Sequence, residues 1–460
     1  MKAKYFFLAI VLAISFSIGF AQNNSAGWQT LFDGKSLEGW KKLAGSADYA
    51  VENGAIVGTT VLNSPNSFLV SEKKFSGDFI LELEALIEDS SMNSGVQFRS
   101  NYDPDANSGK GKVFGYQFEL DPSSRRWTGG IYDEGRRDWL YPVALHPQAQ
   151  NVFKAGVYNK IKIECVGNTI KTWMNNIPVA YLVDTLVANQ GIVGLQVHAI
   201  GQTGKAGNKV YFKNIRIKQS GIQSTAFPKG IYVVNLQPNK LTSYEKQDGW
   251  RLLFDGVTST GWKGAYKKTF PPDGWQIKNG MITVLPSTGA ESTNGGDVVT
   301  EEEFSAFDLS FQFRITPGAN SGLKYFVTLT ENNPGSAIGL EYQVLDDKIH
   351  PDAKLGRDGN RTLSSLYDLI PAQKQDRFVH PPGQWNTGRV IVYPNNHVEH
   401  YLNGLKVLEY ERGSKEFRDI VAMSKFTPFK NFGEAPKGHI LLQDHGNEVS
   451  FRSIKIKVLK

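Results

Sequence analysis

The sequence predicts an all-β chain in which two jelly-roll sandwiches follow one another. Three observations predict this fold: a long internal repeat, strands that alternate apolar with polar residues, and turn motifs between those strands. Segments 28–40 and 250–262 share Leu-Phe-Asp-Gly and Gly-Trp at identical spacing, and 93–95 and 320–322 both read Asn-Ser-Gly. Solenoid units span only about 20–50 residues, so a repeat of roughly 200 residues indicates a duplicated domain.

The repeat predicts the domain boundaries. It places the first domain at residues 26–219 and the second at residues 247–460. The linker between them, residues 220–246, carries Ser, Gly, Pro and Asn around one apolar stretch at 230–235. Such a segment either adds an edge strand or packs as a linker, and the sequence leaves both readings open.

Each copy has the periodicity of β-strands. Apolar and polar residues alternate along 79–87, 160–166, 307–315 and 389–393, which is typical of half-buried strands. Asn-Gly pairs at 53–54 and 279–280 separate apolar runs and predict hairpin turns. Helical spacing is confined to 414–424.

Composition and the N-terminus restrict location and partners. The chain has 460 residues, 40% hydrophobic, and a single Cys, so we expect cores without disulfides. Lys2, Lys4 and an apolar run ending before Ala21 predict a signal peptide at residues 1–21. That run is short for a membrane span, so we expect a periplasmic or secreted protein with no stable membrane insertion after signal removal. The formal charge of +6 forms no basic stripe, so we expect no nucleic-acid partner.

These motifs resemble a bacterial family first described as a domain of unknown function and later as the 3-keto-disaccharide hydrolase domain, which has a concanavalin-like jelly-roll fold. The resemblance rests on the Leu-Phe-Asp-Gly opening, the Asn-Ser-Gly motif, segment 339–346, the Asn403-Gly404 hairpin and the ending at 442–445. It covers both copies, so we expect two tandem concanavalin-like domains. It implies a hydrolase that cleaves 3-keto-disaccharides or 3-keto-glucosides, with carbohydrate as the partner.

Two residues are the candidate catalytic groups. Glu341 and Gln343 are two residues apart, so a strand directs both to one face. A carboxylate beside an amide provides a proton acceptor next to a hydroxyl-binding group, and the resemblance favours this reading over a solvated outer face. His445 is the second candidate because His198 matches it in the first copy; a structural histidine is the alternative.

Further candidates complete two sites, of which we expect the second copy to carry the chemistry. The expected substrate-binding residues there are Gln343, His350, Asp352, Arg361, Tyr367 and Asp444. The corresponding first-domain candidates are Gln117, Glu119, Tyr132 and His198. In the first copy the acid and the amide have exchanged places along the strand, and a shorter loop replaces the His-Pro-Asp segment.

The sequence requires no cofactor, although a divalent cation is compatible with it. Asp346, Asp347, His350 and Asp352 are close in sequence, but their spacing matches no standard zinc or EF-hand site. The metal assignment therefore stays unknown.

The expected chemistry leaves two routes and one competing function. A carbonyl at C3 acidifies the C2 proton, so one base such as Glu341 or His445 suits elimination followed by hydration. Direct displacement by two carboxylates is the other route. The competing function is a lectin-like, carbohydrate-binding protein, because a jelly roll supports both uses.

Overall fold

A computed structural model describes residues 27–287, 291–330 and 337–460. The predicted signal peptide at residues 1–21 lies outside the described residues. Within them, the chain forms two β-sheets in each half, which confirms the prediction of two tandem all-β domains. None of the helices in the described ranges has the length and apolar character needed to cross a bilayer.

The first half and the linker contain seventeen strands among the described residues. They are β1 (Trp28–Thr30), β2 (Trp40–Leu43), β3 (Asp48–Glu52), β4 (Ala55–Thr59), β5 (Ser67–Ser71), β6 (Phe75–Ser76), β7 (Phe79–Ile87), β8 (Ser94–Asp103), β9 (Lys112–Leu120), β10 (Ile131–Glu134), β11 (Asp138–Tyr141), β12 (Asn159–Val166), β13 (Thr169–Met174), β14 (Ile177–Val183), β15 (Gln190–Val197), β16 (Lys209–Lys218) and β17 (Val234–Asn235). One sheet has the order β17-β14-β13-β12-β7-β16-β4-β3, with β1 on β16. The other has the order β11-β10-β9-β8-β15-β5-β2, with β6 on β15.

The second half continues the numbering. Its strands are β18 (Trp250–Leu252), β19 (Trp262–Gly264), β20 (Trp275–Lys278), β21 (Met281–Val284), β22 (Val298–Thr300), β23 (Phe307–Ile315), β24 (Asn320–Thr328), β25 (Ile338–Leu345), β26 (Asn386–Val392), β27 (His397–Leu402), β28 (Leu405–Glu411), β29 (His439–Leu442) and β30 (Val449–Val458). The back sheet has the order β20-β21-β30-β23-β26-β27-β28, with β18 on β30. The front sheet has the order β19-β22-β29-β24-β25.

Helices are short and lie mostly in connections. The α-helices are α1 (Ala106–Gly109), α2 (Ser243–Gln247) and α3 (Lys415–Ala422), and the 3-10 helices are Val143–Leu145, Pro147–Asn151, Pro351–Lys354 and Asp376–Phe378. The third α-helix confirms the helical spacing at 414–424. Its N-terminus is capped by the Ser414 hydroxyl, which accepts a hydrogen bond from the Phe417 N–H at 3.0 Å.

The structure explains why the opening motif is repeated. The indole N–H of Trp40 donates to the carbonyl of Leu31 at 2.8 Å, and that of Trp262 donates to Leu253 at 2.6 Å. Both indoles are buried. A buried indole needs an acceptor, and the nine-residue separation supplies it in each copy, so both tryptophans belong to the cores.

The predicted hairpins are also confirmed. Asn53 and Gly54 connect β3 to β4 with φ of 50° and 77°, and Asn279 and Gly280 connect β20 to β21 with φ of 52° and 75°. Two consecutive residues in the left-handed region form the tight turn that matches the twist of paired strands, and Asn-Gly is the sequence best suited to it.

The linker both adds an edge strand and packs against the second domain, the two alternatives that the sequence left open. Val234 and Asn235 form β17, which pairs in parallel with β14 and extends the first sheet. The helix α2 then packs on the second half, where Glu245 forms a buried ion pair with Lys455 at 2.7 Å. The linker therefore joins the two domains by backbone pairing on one side and by charge on the other.

The front sheet of the second half positions the candidate site. Leu323 of β24 and Tyr342 and Val344 of β25 pack into the core between the two sheets. Side chains alternate along a strand, so Lys324, Glu341 and their alternating neighbours face away from that core.

Candidate active site

Glu341 lies on the face of the front sheet that is turned away from the core, but it is buried and not solvated, and a cation and an amide surround it. In the register of β24 and β25 it is directly opposite Lys324, and the Lys324 Nζ lies 3.9 Å from the Glu341 Oε2. The Gln343 amide nitrogen, oriented toward the available acceptors, donates to the Glu341 Oε1 at 3.1 Å and to the Ser321 carbonyl at 3.0 Å. Glu341 and Gln343 thus share one face, as predicted.

Gly322 gives the carboxylate its space. It is opposite Gln343, and a Cβ on this glycine would overlap the Glu341 Oε1. The Asn-Ser-Gly motif therefore places a residue without a side chain under the carboxyl group, because a larger residue would displace it.

Two further carboxyl groups approach the same lysine. The Glu291 Oε1 lies 3.7 Å from the Lys324 Nζ, and Asp297 is buried beside it. Burial raises the pKa of Glu341 to about 7 and that of Asp297 to about 6, although the field of Lys324 opposes both shifts. Burial acts against the charged lysine, but the surrounding carboxylates outweigh it and raise the Lys324 pKa. Three carboxyl groups around one buried ammonium favour retention of a proton near neutral pH.

The sequence-based prediction missed Lys324, Glu291 and Asp297. A signal for the lysine was available, since Lys324 is four residues after Asn320 and alternation places both on one face. No comparable signal identifies Asp297, because it precedes a strand of only three residues and meets the site through tertiary packing.

His445 reaches the same face from the end of β29. Its Nε2 lies 3.3 Å from the Asn320 Nδ2, and its ring centroid lies 6.1 Å from that of His350. Asn320 is two residues, roughly 7 Å of strand, from the Gly322 that underlies Glu341. His445 therefore lies beside the same stretch of β24 that Glu341 faces.

Several buried polar atoms on this face have no hydrogen-bond partner within the described residues. They are the Asn320 Oδ1, the Gln443 Oε1 and the His445 Nδ1. Buried polar atoms in folded proteins are almost always bonded, so these atoms are available to the hydroxyl groups of a ligand.

The loop that follows β25 forms a rigid rim. Asp352 accepts hydrogen bonds from Arg361 at 2.9 Å and from the Tyr367 hydroxyl at 2.8 Å, and Arg361 also binds Asp368 at 2.7 Å. The Tyr367 N–H donates to the Glu341 carbonyl at 3.0 Å, which attaches this loop to β25. His350 lies at the start of the loop, and its Nδ1 accepts from the Asp352 N–H at 3.2 Å.

Asp444, which the sequence suggested as a substrate contact, lies beneath the surface in this structure. It is fully buried, and its carboxylate accepts backbone N–H groups from Asn294 at 3.0 Å, Gly296 at 3.1 Å and Gly446 at 3.1 Å. A carboxylate so enclosed holds the 294–297 loop in place. Asp444 therefore positions Asp297 instead of touching a ligand.

The four suggested cation ligands are engaged with the protein. Asp346 accepts the Gly318 N–H at 2.8 Å, Asp347 pairs with Lys374 at 3.0 Å, and Asp352 and His350 have the partners given above. Among the described residues, possible ligand atoms of three residues converge within 4.8 Å of one another on the back sheet, at His397, Glu399 and Glu409. Lys406 lies in that group, 3.1 Å from Glu399, and supplies its positive charge.

The first copy preserves the geometry of the strands but changes the charges. Gln97 and Gln117 are opposite each other where the second copy has Lys324 and Glu341, and Glu119 is opposite Gly95 where the second copy has Gln343. Burial raises the pKa of Glu119 to about 7, and amide donors from Asn93 at 2.6 Å and Gln117 at 2.8 Å oppose the shift. The first copy therefore keeps a buried carboxyl group, that of Glu119, but has no lysine ammonium beside it among the described residues.

The other first-domain candidates lie at the edge of this face. Tyr132 is opposite Gln117 in the register of β9 and β10, and its hydroxyl donates to Asp138 at 2.7 Å. His198 follows β15, is exposed and contacts the Ala199 carbonyl through Nδ1 at 2.8 Å. The structure therefore brings Gln117, Glu119 and Tyr132 together and leaves His198 at the rim.

Comparisons with known proteins match both copies to one family. The profile of the 3-keto-alpha-glucoside-1,2-lyase-like domain matches residues 27–218 and 249–457. A protein of Bacteroides thetaiotaomicron named 3-keto-disaccharide hydrolase is 39% identical over 233 residues, which cover 46% of this chain and 79% of that protein.

Two solved structures, both proposed glycosyl hydrolases from Parabacteroides distasonis, are also similar. The first is 30% identical, with 49% of this chain and 100% of that chain covered and a TM-score of 0.42. The second is 27% identical, with 43% and 99% covered and a TM-score of 0.33.

Proposed function

The chain belongs to the family of 3-keto-alpha-glucoside-1,2-lyase-like domains and is a hydrolase, and from that premise we propose that its second copy cleaves the glycosidic bond of 3-keto-disaccharides or 3-keto-glucosides. One observation carries the assignment to this copy. The buried carboxyl group of Glu341 has a pKa raised to about 7 and lies beside a buried ammonium group. A general base works best when its pKa is near the operating pH.

The reaction begins at C2 of the oxidised sugar. The C3 carbonyl withdraws electrons, so ionised Glu341 takes the C2 proton while the C1–O bond breaks and a C1=C2 double bond forms. The leaving oxygen receives a proton from an acid. Water then adds across the double bond, with its hydroxyl at C1 and a proton from Glu341 at C2, so the sum of both steps is hydrolysis.

The residues around Glu341 suit these steps. In the proposed binding mode the C3 oxygen of the sugar faces the Lys324 ammonium, and preorganised charge of that kind stabilises the negative charge that develops on this oxygen in the transition state. His445 is the proposed acid for the leaving group. The unpartnered atoms of Asn320 and Gln443 provide hydrogen-bonding positions for sugar hydroxyls.

For the first copy, we propose sugar binding without cleavage. Its charges favour this role, since Gln97 and Gln117 replace the lysine and glutamate pair, while Glu119 keeps one acceptor. The hypothesis of lectin-like carbohydrate binding is thus proposed for the first domain only.

Secretion is part of the same proposal. Lys2, Lys4 and the apolar run that ends before Ala21 support export to the periplasm or beyond the cell, where oxidised glycosides would be met. N-terminal sequencing of the exported protein tests it, and a mature chain that still begins at Met1 would contradict it.

The decisive experiment uses purified protein and 3-ketotrehalose, with released glucose as the readout. We expect Glu341→Gln to lower kcat/KM by roughly 10²–10⁴-fold, the usual range for loss of a general base. Glu119→Gln is the matched control, because it changes a buried carboxyl with a similar pKa in the other copy, and we expect near-normal rates. Equal losses in both variants, or none in either, would overturn the assignment.

Two further experiments test the reaction route and the requirement for a divalent cation. In D₂O the proton on Glu341 exchanges with solvent before water adds, so elimination and hydration should place deuterium at C2 of the released keto sugar in excess of the exchange measured without enzyme, whereas direct displacement gives no such excess. The proposed steps use side chains alone, so a chelator should not reduce the rate; a chelator-sensitive rate restored by a divalent cation would contradict that part of the proposal.

A further inference from the structure

A cavity lies between the two domains, on the side of the back sheet of the second domain and away from Glu341. It encloses about 720 Å³, and the first domain, the linker and the back sheet of the second domain all line it. The Tyr232 backbone carbonyl accepts a hydrogen bond from the Tyr141 hydroxyl at 2.9 Å, and the Tyr232 hydroxyl bonds Ser310 at 2.9 Å. The walls are therefore joined through the linker.

Most of the cations around this cavity are neutralised by carboxylates. Arg389 pairs with Asp308, Lys455 pairs with Glu245, and Arg137 pairs with Asp184 at 2.7 Å. Each of these cations is neutralised by its carboxylate partner, so none of them requires an anionic ligand.

Arg452 has no carboxylate partner among the described residues, and neither do Arg377 and Lys240, which also line the cavity. The Arg452 Nε donates to the Gln312 Oε1 at 2.7 Å, and its guanidinium carbon lies 3.9 Å from the Trp385 ring centroid. A guanidinium has five N–H donors, so four remain without a protein acceptor in the part of the chain described. Arg452 lines the cavity, and those donors form the fork that matches an oxyanion.

A second uncompensated arginine adds to the positive field. Arg314 lies 5.0 Å from the same indole ring and donates to the Met281 sulfur, with no carboxylate partner within the described residues. Partial burial and, to a smaller extent, the neighbouring Arg314 together lower the pKa of Arg452 to about 10. Arg452 in the lining and Arg314 behind it thus share one tryptophan and lack, within the described residues, the carboxylate partners that Arg389, Lys455 and Arg137 have.

The remaining lining is suited to a sugar. The rings of Trp139, Tyr232, Trp385 and Tyr401 line the cavity together with polar groups such as Asn403. Small-molecule sites combine aromatic walls with a few oriented polar groups in this way.

We propose that this cavity is a second binding site, which takes an acidic saccharide and holds its carboxylate or sulfate on Arg452. Trp385 and Arg314 hold the guanidinium in place and strengthen the field. A neutral sugar would leave both arginines uncompensated, so the site selects charged sugars.

Isothermal titration calorimetry on the full chain tests the proposal with four probes: digalacturonate, glucose 6-sulfate, maltose and inorganic sulfate. We expect one or both acidic sugars to bind more tightly than maltose and inorganic sulfate, and their comparison identifies the anionic group. Arg452→Gln should weaken that binding by roughly tenfold or more, since hydrogen bonds to a charged group are lost. Arg418→Gln, at an exposed arginine paired with Glu434, is the matched control and should bind as the unaltered protein does.

A second variant, on the opposite wall of the cavity, distinguishes loss of binding from misfolding of Arg452→Gln. Trp139→Leu, in the first domain, should also weaken binding while the thermal unfolding midpoint and the hydrolysis of 3-ketotrehalose stay near their original values. Acidic sugars that bind no better than maltose, inorganic sulfate that binds as tightly as they do, or binding unchanged in Arg452→Gln would each overturn the proposal.

Discussion

Replacing Lys324 with glutamine tests how the candidate site sets the protonation of its base. The ammonium lies 3.9 Å from the Glu341 carboxylate, and at an effective dielectric constant of about 20 two unit charges at that distance interact by about 4 kcal/mol. Loss of that attraction disfavours the ionised carboxylate, so its pKa rises. The full interaction corresponds to about 3 pKa units, which sets the upper limit because the loops relax around the new side chain.

The pH dependence of kcat/KM measures this shift. Glu341 acts in its ionised form, so activity falls as the pH decreases through its pKa, which is about 7 in the unaltered protein. In Lys324→Gln we expect that acidic limb to move upward by roughly one to three units. Lys324→Arg retains the charge and should leave the limb close to its original position.

A folded variant whose acidic limb does not move would refute this account of Glu341. Folding must be checked independently, because removing one partner of a buried ion pair costs roughly 3–5 kcal/mol. Chemical denaturation followed by tryptophan fluorescence supplies that check. If Lys324→Gln is unfolded at the assay temperature, its profile is measured at a lower temperature beside Lys324→Arg.

Three further predictions concern other parts of the second domain. Gly322→Ala should lower kcat/KM by roughly tenfold or more with little change in the unfolding midpoint, because a Cβ would overlap the Glu341 Oε1; unchanged kinetics would contradict the packing. His400 is fully buried, and burial lowers its pKa to about 4, so the neutral form stabilises the fold above the unfolded pKa near 6.5. That contribution, about 3 kcal/mol, should be lost between about pH 6.5 and pH 4 and should be absent in His400→Gln, as urea titrations at both ends of the range would show; equal acid sensitivity of the two proteins would contradict it. Asp444→Asn should expose the 294–297 loop to hydrogen exchange, because an amide oxygen accepts its backbone N–H groups more weakly than a carboxylate; unchanged protection of Gly296 would contradict this role.

Local patterns in the sequence were sufficient to predict the strands and the part of the site that Glu341 and Gln343 form on β25. The two-residue spacing of Glu341 and Gln343 fixes their common face, since side chains alternate along any strand. The Asn-Gly turns follow from the conformations that these residues adopt at low cost. Both inferences involve residues that are neighbours in the chain.

Asp444 shows where such patterns fail. A polar residue next to His445 in a family motif suggests contact with substrate, yet its carboxylate is consumed by backbone N–H groups about 150 residues earlier in the chain. Whether an aspartate binds a ligand or a loop depends on which chain segment covers it, and the residue type is the same in both cases.

The sequence by itself determined the duplication, the all-β class and the common face of Glu341 and Gln343, because each depends on spacing along one strand or one repeat. Only the tertiary structure decided that Lys324 stands opposite Glu341 and that Asp297 and Glu291 approach the same ammonium. Those contacts depend on strand register and loop packing, and the burial that they produce is what brings the Glu341 pKa near neutrality.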